Sequence, residues 1–184
     1  MSKRIFILNG SPRAHGNTET LAAAFAEGAQ SAGRTVTNLN LRTMNINPCL
    51  GCYQCRAKKG TPCVQRDEMS KVYDAFAQAD AVVLASPLYF WSFSAQLKTA
   101  IDRLVAPLEM SEYTIPAKDC FMLIAAGAEG DDNFASVVHL YHSFNSQLGW
   151  VDKGMLLAGG VDQVGDVQKT DFVQQARDLG ASYA

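Results

Sequence analysis

Four of the chain's five cysteines fall within fifteen residues, as Cys49, Cys52, Cys55 and Cys63, in the spacing C-x2-C-x2-C-x7-C. Two successive x2 intervals let three thiolates converge in one tight loop, and Gly51 and Gly60 allow the turns this requires. Close-set thiolates of this kind hold iron–sulfur clusters. Structural zinc more often unites two separated ligand pairs, and disulfides suit neither the spacing nor a reducing compartment. The competing reading is a compact loop of free thiols with a covering role.

A second set of residues follows the first apolar run. Gly10-Ser11-Pro12-Arg13-Ala14-His15-Gly16-Asn17-Thr18 leads from a strand-like segment into a helix-like one. Such a loop offers a phosphate backbone N–H groups and the positive end of a helix dipole. Ser11 and Thr18 add hydroxyls, Asn17 an amide and Arg13 a charge. Five residues separate Gly10 from Gly16 and Asn17 stands where a Walker lysine would be, which disfavours nucleoside triphosphates. The G-x-G-x-x-G fingerprint of bound dinucleotides is absent too. A monophosphate such as FMN fits better. Further on, Ser86-Pro87-Leu88-Tyr89-Phe90-Trp91-Ser92 carries three consecutive aromatics, suited to walling a flat ring or to a subunit interface. Ala125-Ala126-Gly127-Ala128 is small enough for a ring to approach the backbone around Gly127.

These loops need elements to hold them. Arg4–Leu8, Val36–Leu41, Ala81–Ala85, Cys120–Ala126 and residues 150–158 read as strands. Between them, helical stripes run through Leu21, Ala22, Phe25 and Ala29; through Met69, Val72, Tyr73 and Phe76; through Leu97, Ile101, Leu104 and Val105; and through Phe134 to Leu148. Phe172, Val173, Ala176 and Leu179 mark a closing helix. This alternation predicts an α/β three-layer sandwich with a five-stranded parallel sheet of flavodoxin-like order 2-1-3-4-5. Ligands then belong beyond the carboxyl ends of strands one, three and four. One domain over 1–184, with a cysteine-rich loop at about 45–66, is expected.

The 184 residues carry 48% hydrophobic and 18% charged side chains and a formal charge of −2. That balance gives no electrostatic reason for nucleic acid or anionic membrane as partner. The apolar run Ile5–Leu8 is too short for a secretory signal, and no segment reaches a membrane span, so a cytoplasmic location is expected. His139 and His142 at i and i+3 read as surface residues, and Cys120 as a buried small hydrophobe.

Taken as a set, Gly10-Ser11-Pro12-Arg13 with Gly16-Asn17-Thr18, Pro48-Cys49-x-Gly51-Cys52-x-x-Cys55 with Cys63, Ser86-Pro87-Leu88-Tyr89-Phe90, and Leu97-Lys98-x-x-Ile101-Asp102-Arg103 resemble the flavodoxin-like NAD(P)H-dependent FMN reductases. The subgroup resembled includes the iron–sulfur flavoproteins. The match runs over roughly residues 4–105. The resemblance implies FMN held at its phosphate by Ser11, Arg13, Asn17 and Thr18 and at its ring by residues 86–90, with Gly127 beside it. It further implies NADH or NADPH as hydride donor, a small acceptor such as flavin or quinone, a homodimer or tetramer, and a [4Fe-4S] cluster on the four cysteines. An alternative is an electron carrier that exchanges electrons with a protein partner. A phospho-acceptor receiver domain is rejected, because Asn9, Gly10, Ser11 and Ser86 stand where it needs carboxylates.

Overall fold

The structure is a computed structural model that describes residues 2–57, 62–112 and 116–183. Gly60, expected to shape the cysteine loop, lies outside them. Strands β1 (Arg4–Asn9), β2 (Thr35–Asn40), β3 (Ala81–Pro87), β4 (Asp119–Ala125) and β5 (Val151–Ala158) form one parallel sheet in the order β2-β1-β3-β4-β5, as the alternation predicts. The central strands are apolar runs because both their faces are covered. Side chains alternate across the sheet. Phe6, Leu8, Val82, Leu84, Met122 and Ile124 enter one core, while Ile5, Ile7, Val83, Ala85, Phe121 and Leu123 enter the other. At the edge, β2 reads TVTNLN and is largely exposed.

Helices α1 (Asn17–Ser31) and α7 (Phe172–Ala181) cover the second face. They approach closely because glycines face each other's backbone: a Cβ on Gly180 would stand 2.1 Å from the Phe25 carbonyl oxygen, and one on Gly28 1.9 Å from that of Arg177. The first face is covered by α3 (Met69–Gln78), α4 (Ala95–Arg103), α5 (Val105–Met110) and α6 (Ala135–Leu148). A four-residue helix, α2 (Gln54–Ala57), sits within the cysteine loop.

The single helix expected through Leu97 to Val105 is broken at Leu104 into α4 and α5. The cause is Pro107, which has no N–H to give to the carbonyl four residues back, that of Arg103. The buried Tyr73 hydroxyl donates to this carbonyl instead, at 3.1 Å. The pairings Asn9 with Ala85, Pro87 with Ala125, and Ala125 with Ala158 bring the carboxyl ends of β1, β3, β4 and β5 to one edge. The loops that follow these strands all emerge there.

Candidate functional site

At that edge lies an open cleft with a volume of about 130 Å³. It is lined by the loop Ser11 to Thr18, by Pro87, Leu88 and Tyr89, by Ala125 to Gly127, and by Val161 and Asp162. The turn out of β1 is stitched in place from several sides. Gly10 N–H donates to the Ala85 carbonyl at 2.8 Å, Ser11 N–H to Asn9 Oδ1 at 3.0 Å, and the Ser94 hydroxyl to the Gly10 carbonyl at 2.8 Å. Ser11 is buried and its hydroxyl donates to the Arg13 carbonyl at 2.9 Å, and the residue lines the cleft. Gly16, ahead of α1, has no side chain to cap the helix. The N–H groups of the first turn of α1 are therefore open to an anion in the cleft. The Thr18 hydroxyl lines the same space.

Asn17 is placed differently from its expected part in phosphate binding. Its amide nitrogen donates to the carbonyls of Val161 at 3.1 Å and Gln163 at 2.9 Å, and its oxygen accepts from Val167 N–H at 3.3 Å. The side chain pins the loop after β5 over the start of α1, leaving the Asn17 backbone N–H as its contribution to the cleft. Arg13 reaches across the mouth, donating from Nη1 to the Asp162 carbonyl at 2.9 Å.

Ser86 is fully buried beneath the aromatic loop rather than in the cleft. It donates to the Pro87 carbonyl at 2.7 Å and accepts from Ser94 N–H at 2.8 Å, which shapes the 87–94 turn. Leu88 N–H donates to the Ala125 carbonyl at 2.8 Å and docks that loop on β4. At the tip, Tyr89 and Ser92 exchange both backbone hydrogen bonds at 3.0 Å, and Phe90 and Trp91 between them have φ of 46° and 58°. Phe90 is 94% exposed and Trp91 57%, both outside the cleft wall. They border a shallow depression with Leu88, Ala128 and Asn133. Gly127 faces Asp162 at the cleft rim.

The four cysteines form a second locus. Cys49, Cys52, Cys55 and Cys63 all line one small pocket, together with Val64, Gln65, Arg103, Val105 and Ala106. The loop that carries them is closed at its neck. Asn45 N–H donates to Glu68 Oε2 at 2.7 Å, Asn47 N–H to Asp67 Oδ2 at 3.0 Å, and Gln65 Nε2 to the Pro48 carbonyl at 3.0 Å. Beneath the neck, Arg103 and Asp67 form an ion pair whose side chains are each 1% exposed, with Nη1 2.8 Å from Oδ2 and Nη2 3.2 Å from Oδ1. Burial raises the Asp67 carboxyl, but the Arg103 hydrogen bond and the Asn47 and Met69 N–H groups more than offset this and hold it below the usual carboxylate range. On the outer side, Arg56 of α2 makes a bidentate bond with Glu109 of α5 at 2.9 and 3.0 Å, with its guanidinium 4.4 Å from the Tyr53 ring centroid. Burial, with the Glu109 carboxylate adding to it, pushes the Cys55 thiol up.

Among the described residues, no three Cys, His, Asp or Glu side chains are gathered tightly enough for a single metal ion. A four-iron cluster takes one thiolate at each iron, and the four cysteines supply that number of thiols around one small pocket, with Cys49 and Cys52 exposed. His139 and His142 are on the surface of α6, and Cys120 is buried in β4. Among the described residues, no helix is long and apolar enough to cross a membrane.

Three functional elements were not read from the sequence: the Val161–Asp162 wall, the role of Asn17 in fixing it, and the Arg103–Asp67 pair under the cysteines. Gly159-Gly160 directly after β5 is the local signal for the first. The charged pair has no signal in its spacing.

Several known proteins resemble this chain. The chain is 25% identical over 201 residues to an iron–sulfur flavoprotein of Methanocaldococcus jannaschii, covering 98% of this chain and 95% of that one. It is 40% identical over 96 residues to an iron–sulfur flavoprotein of Archaeoglobus fulgidus, a match that spans 52% of this chain and only 43% of that relative's length. An NAD(P)H:quinone oxidoreductase from Methanothermobacter marburgensis shares the fold at a TM-score of 0.77 and 19% identity, over 100% of both chains. An azoreductase from Bacillus anthracis does so at 0.72 and 20%, again over 100% of both. Residues 3–159 match the family model described as NADPH-dependent FMN reductase, and the chain belongs to that family.

Proposed function

We propose that the chain binds FMN in the cleft at the carboxyl edge of the sheet and acts as an NAD(P)H-dependent oxidoreductase on a small acceptor such as a flavin or quinone. The observation that carries this reading is the convergence of the Ser11–Thr18 loop, the uncapped start of α1 and the backbone of residues 87–89 and 125–127 on one space. Bound FMN would supply hydride acceptance from a nicotinamide and onward electron transfer. The chain's own residues bind and orient. The N–H groups of Asn17 and Thr18, with the Ser11 and Thr18 hydroxyls, take the phosphate, and Arg13 adds positive charge at the mouth. The Pro87–Tyr89 and Ala125–Gly127 segments give the ring a close-packed backbone wall, and Asn17 keeps the Val161–Asp162 loop shut against α1. No side chain is needed as acid or base. The reading is tested by titrating the protein with FMN and with riboflavin: FMN is expected to bind at least tenfold tighter, and equal affinities would reject it.

The four cysteines on one pocket favour a second component, a [4Fe-4S] cluster on Cys49, Cys52, Cys55 and Cys63, which would make the chain an iron–sulfur flavoprotein like the relatives named above. Anaerobic reconstitution should then give about four irons per chain and a visible absorption that Cys52→Ala abolishes while FMN stays bound. The exposed pair Phe90 and Trp91 supports association of the chain with itself, as a homodimer or tetramer, near the cleft. A cytoplasmic setting fits a loop of four unpaired cysteines.

A further inference from the structure

The Arg103–Asp67 pair is more than a clamp on the neck of the cysteine loop. Arg103 is a fully buried charged side chain, and its three nitrogens are not used alike. Nη1 donates to the Asn47 carbonyl at 2.7 Å and to Asp67 Oδ2, and Nη2 donates to Asp67 Oδ1. The third donor, Nε–H, is buried and makes no hydrogen bond of ordinary geometry among the described residues, although the Tyr73 hydroxyl stands beside the guanidinium. Buried donors in folded proteins are almost always satisfied, and one on a guanidinium is an exception that calls for a missing acceptor.

Arg103 borders one pocket in particular. Arg103 lines the cysteine pocket, and it is close enough to Cys63 for the two to interact electrostatically. Asp67 is not among the residues lining that pocket; its carboxylate also accepts from the Asn47 and Met69 N–H groups. The pair is thus a dipole whose positive end borders the four sulfurs. Position in the chain fixes this orientation. Arg103 is the last residue of α4, and the break caused by Pro107 leaves its carbonyl to the Tyr73 hydroxyl, which ties the backbone at that point to α3.

We infer that Arg103 is the fifth protein group of the cysteine pocket, donating its Nε–H to a sulfur of the iron–sulfur cluster and holding a buried positive charge beside it. The inference rests on the cluster reading given above. A cluster on four thiolates is anionic and gains a further negative charge when it takes up one electron, so a nearby cation and an N–H to sulfur both favour the reduced form. Arg103 therefore raises the reduction potential of the cluster.

The test is a redox titration of the full chain, reconstituted anaerobically with iron and sulfide, reduced stepwise with dithionite and followed by visible absorption and electron paramagnetic resonance. Arg103→Lys keeps the charge and removes Nε. The double variant Asp67→Asn with Arg103→Met removes both charges together, so that neither is left buried alone, and keeps an oxygen acceptor at position 67. With the wild-type iron content, the double variant should shift the one-electron equilibrium about tenfold toward the oxidised cluster, roughly 59 mV lower. Arg103→Lys should shift it by less in the same direction. The flavin couple, read in the same titration, should stay in place, which a general loosening of the fold would not allow. Full cluster occupancy with an unchanged or raised potential in both variants would overturn the role of Arg103 alone. A wild-type chain that takes up no cluster would overturn the cluster reading and this inference with it.

Discussion

The loop after β1 and the loop around the cysteines each line a pocket, but they are held by opposite means. Residues 10–18 are fixed by short-range backbone bonds at the carboxyl edge of a buried strand, and each turn leans on the sheet. The cysteine loop packs Ile46, Cys55 and Cys63 against the core, but none of its residues follows directly from a buried strand end. It is closed at the neck by Asn45, Asn47, Pro48, Gln65, Asp67 and Glu68, anchored underneath by a buried ion pair and tied on its outer side by Arg56 to Glu109. A site built on strand ends is stable because the core is stable. A site hung on a neck is only as stable as the few polar contacts that close it.

The strongest way to break this contrast is to remove one member of the buried pair. Asp67→Asn leaves the Arg103 charge buried without its counter-ion, which should cost about 3–5 kcal/mol by urea unfolding at pH 7. The pH dependence gives a second reading. The folded Asp67 carboxyl lies below its ordinary 3.8, so its contribution is fully present above that value and is lost as pH falls through the lower folded value. The stability gap between wild type and Asp67→Asn should stay constant from pH 7 to about pH 4 and close below it. A gap that closes near neutral pH would assign the effect to another group.

The phosphate loop should respond in two separable ways. Thr18→Ala should weaken FMN binding by about 1.5–3 kcal/mol, since a hydroxyl donor to a charged phosphate is lost, while the ligand-free protein unfolds at the same urea concentration as wild type. Asn17→Ala should do the reverse in emphasis. It strips the Val161 and Gln163 carbonyls of a donor and leaves Val167 N–H without an acceptor, so ligand-free stability should fall by about 1–3 kcal/mol. FMN titration and urea unfolding on the same two variants check both statements. Equal behaviour of the two would show that Asn17 serves the ligand rather than the loop.

The difference between Thr18 and Asn17 also marks what the sequence made legible. The strand order and the phosphate loop follow from local signals: apolar runs, a glycine-bounded turn and a helix start, all within a few residues of one another. The loop's inner assignments do not. Asn17 looks like a phosphate donor until its partners are found 144 to 150 residues further along the chain. Ser86 sits at the right strand end, yet its hydroxyl is spent on Pro87 and Ser94. The cysteine spacing was plain, whereas Arg103 stood out only as the last residue of the Leu97–Arg103 motif and not as a partner of the cysteines, because Asp67 lies 36 residues away and the break at Pro107 was masked by an unbroken apolar period. Short polar side chains reveal their type in a sequence but not which of several nearby carbonyls they will choose.

The smallest expected effect belongs to the aromatic tip, where the contrast between held and hung loops can be sharpened. Phe90 and Trp91 occupy the two central positions of a hairpin turn with positive φ, a conformation that usually selects Asn and Gly. An L side chain there costs on the order of 1–2 kcal/mol per residue, part of which a glycine recovers and part of which its greater freedom in the unfolded chain takes back. The double change Phe90→Gly with Trp91→Gly should therefore leave the isolated chain as stable as wild type or up to about 1 kcal/mol more stable, despite removing two large apolar side chains. Folded proteins keep such strain where it serves a site, and these rings are displayed to solvent beside the cleft rather than packed in a core. FMN affinity in the double variant should stay within about twofold of wild type, because neither ring lines the cleft, while self-association measured by sedimentation should weaken by about tenfold or more, as expected for aromatic anchors at an interface. A loss of FMN affinity with unchanged self-association would instead place the rings over the flavin, and the tip would then belong to the held loops of the cleft.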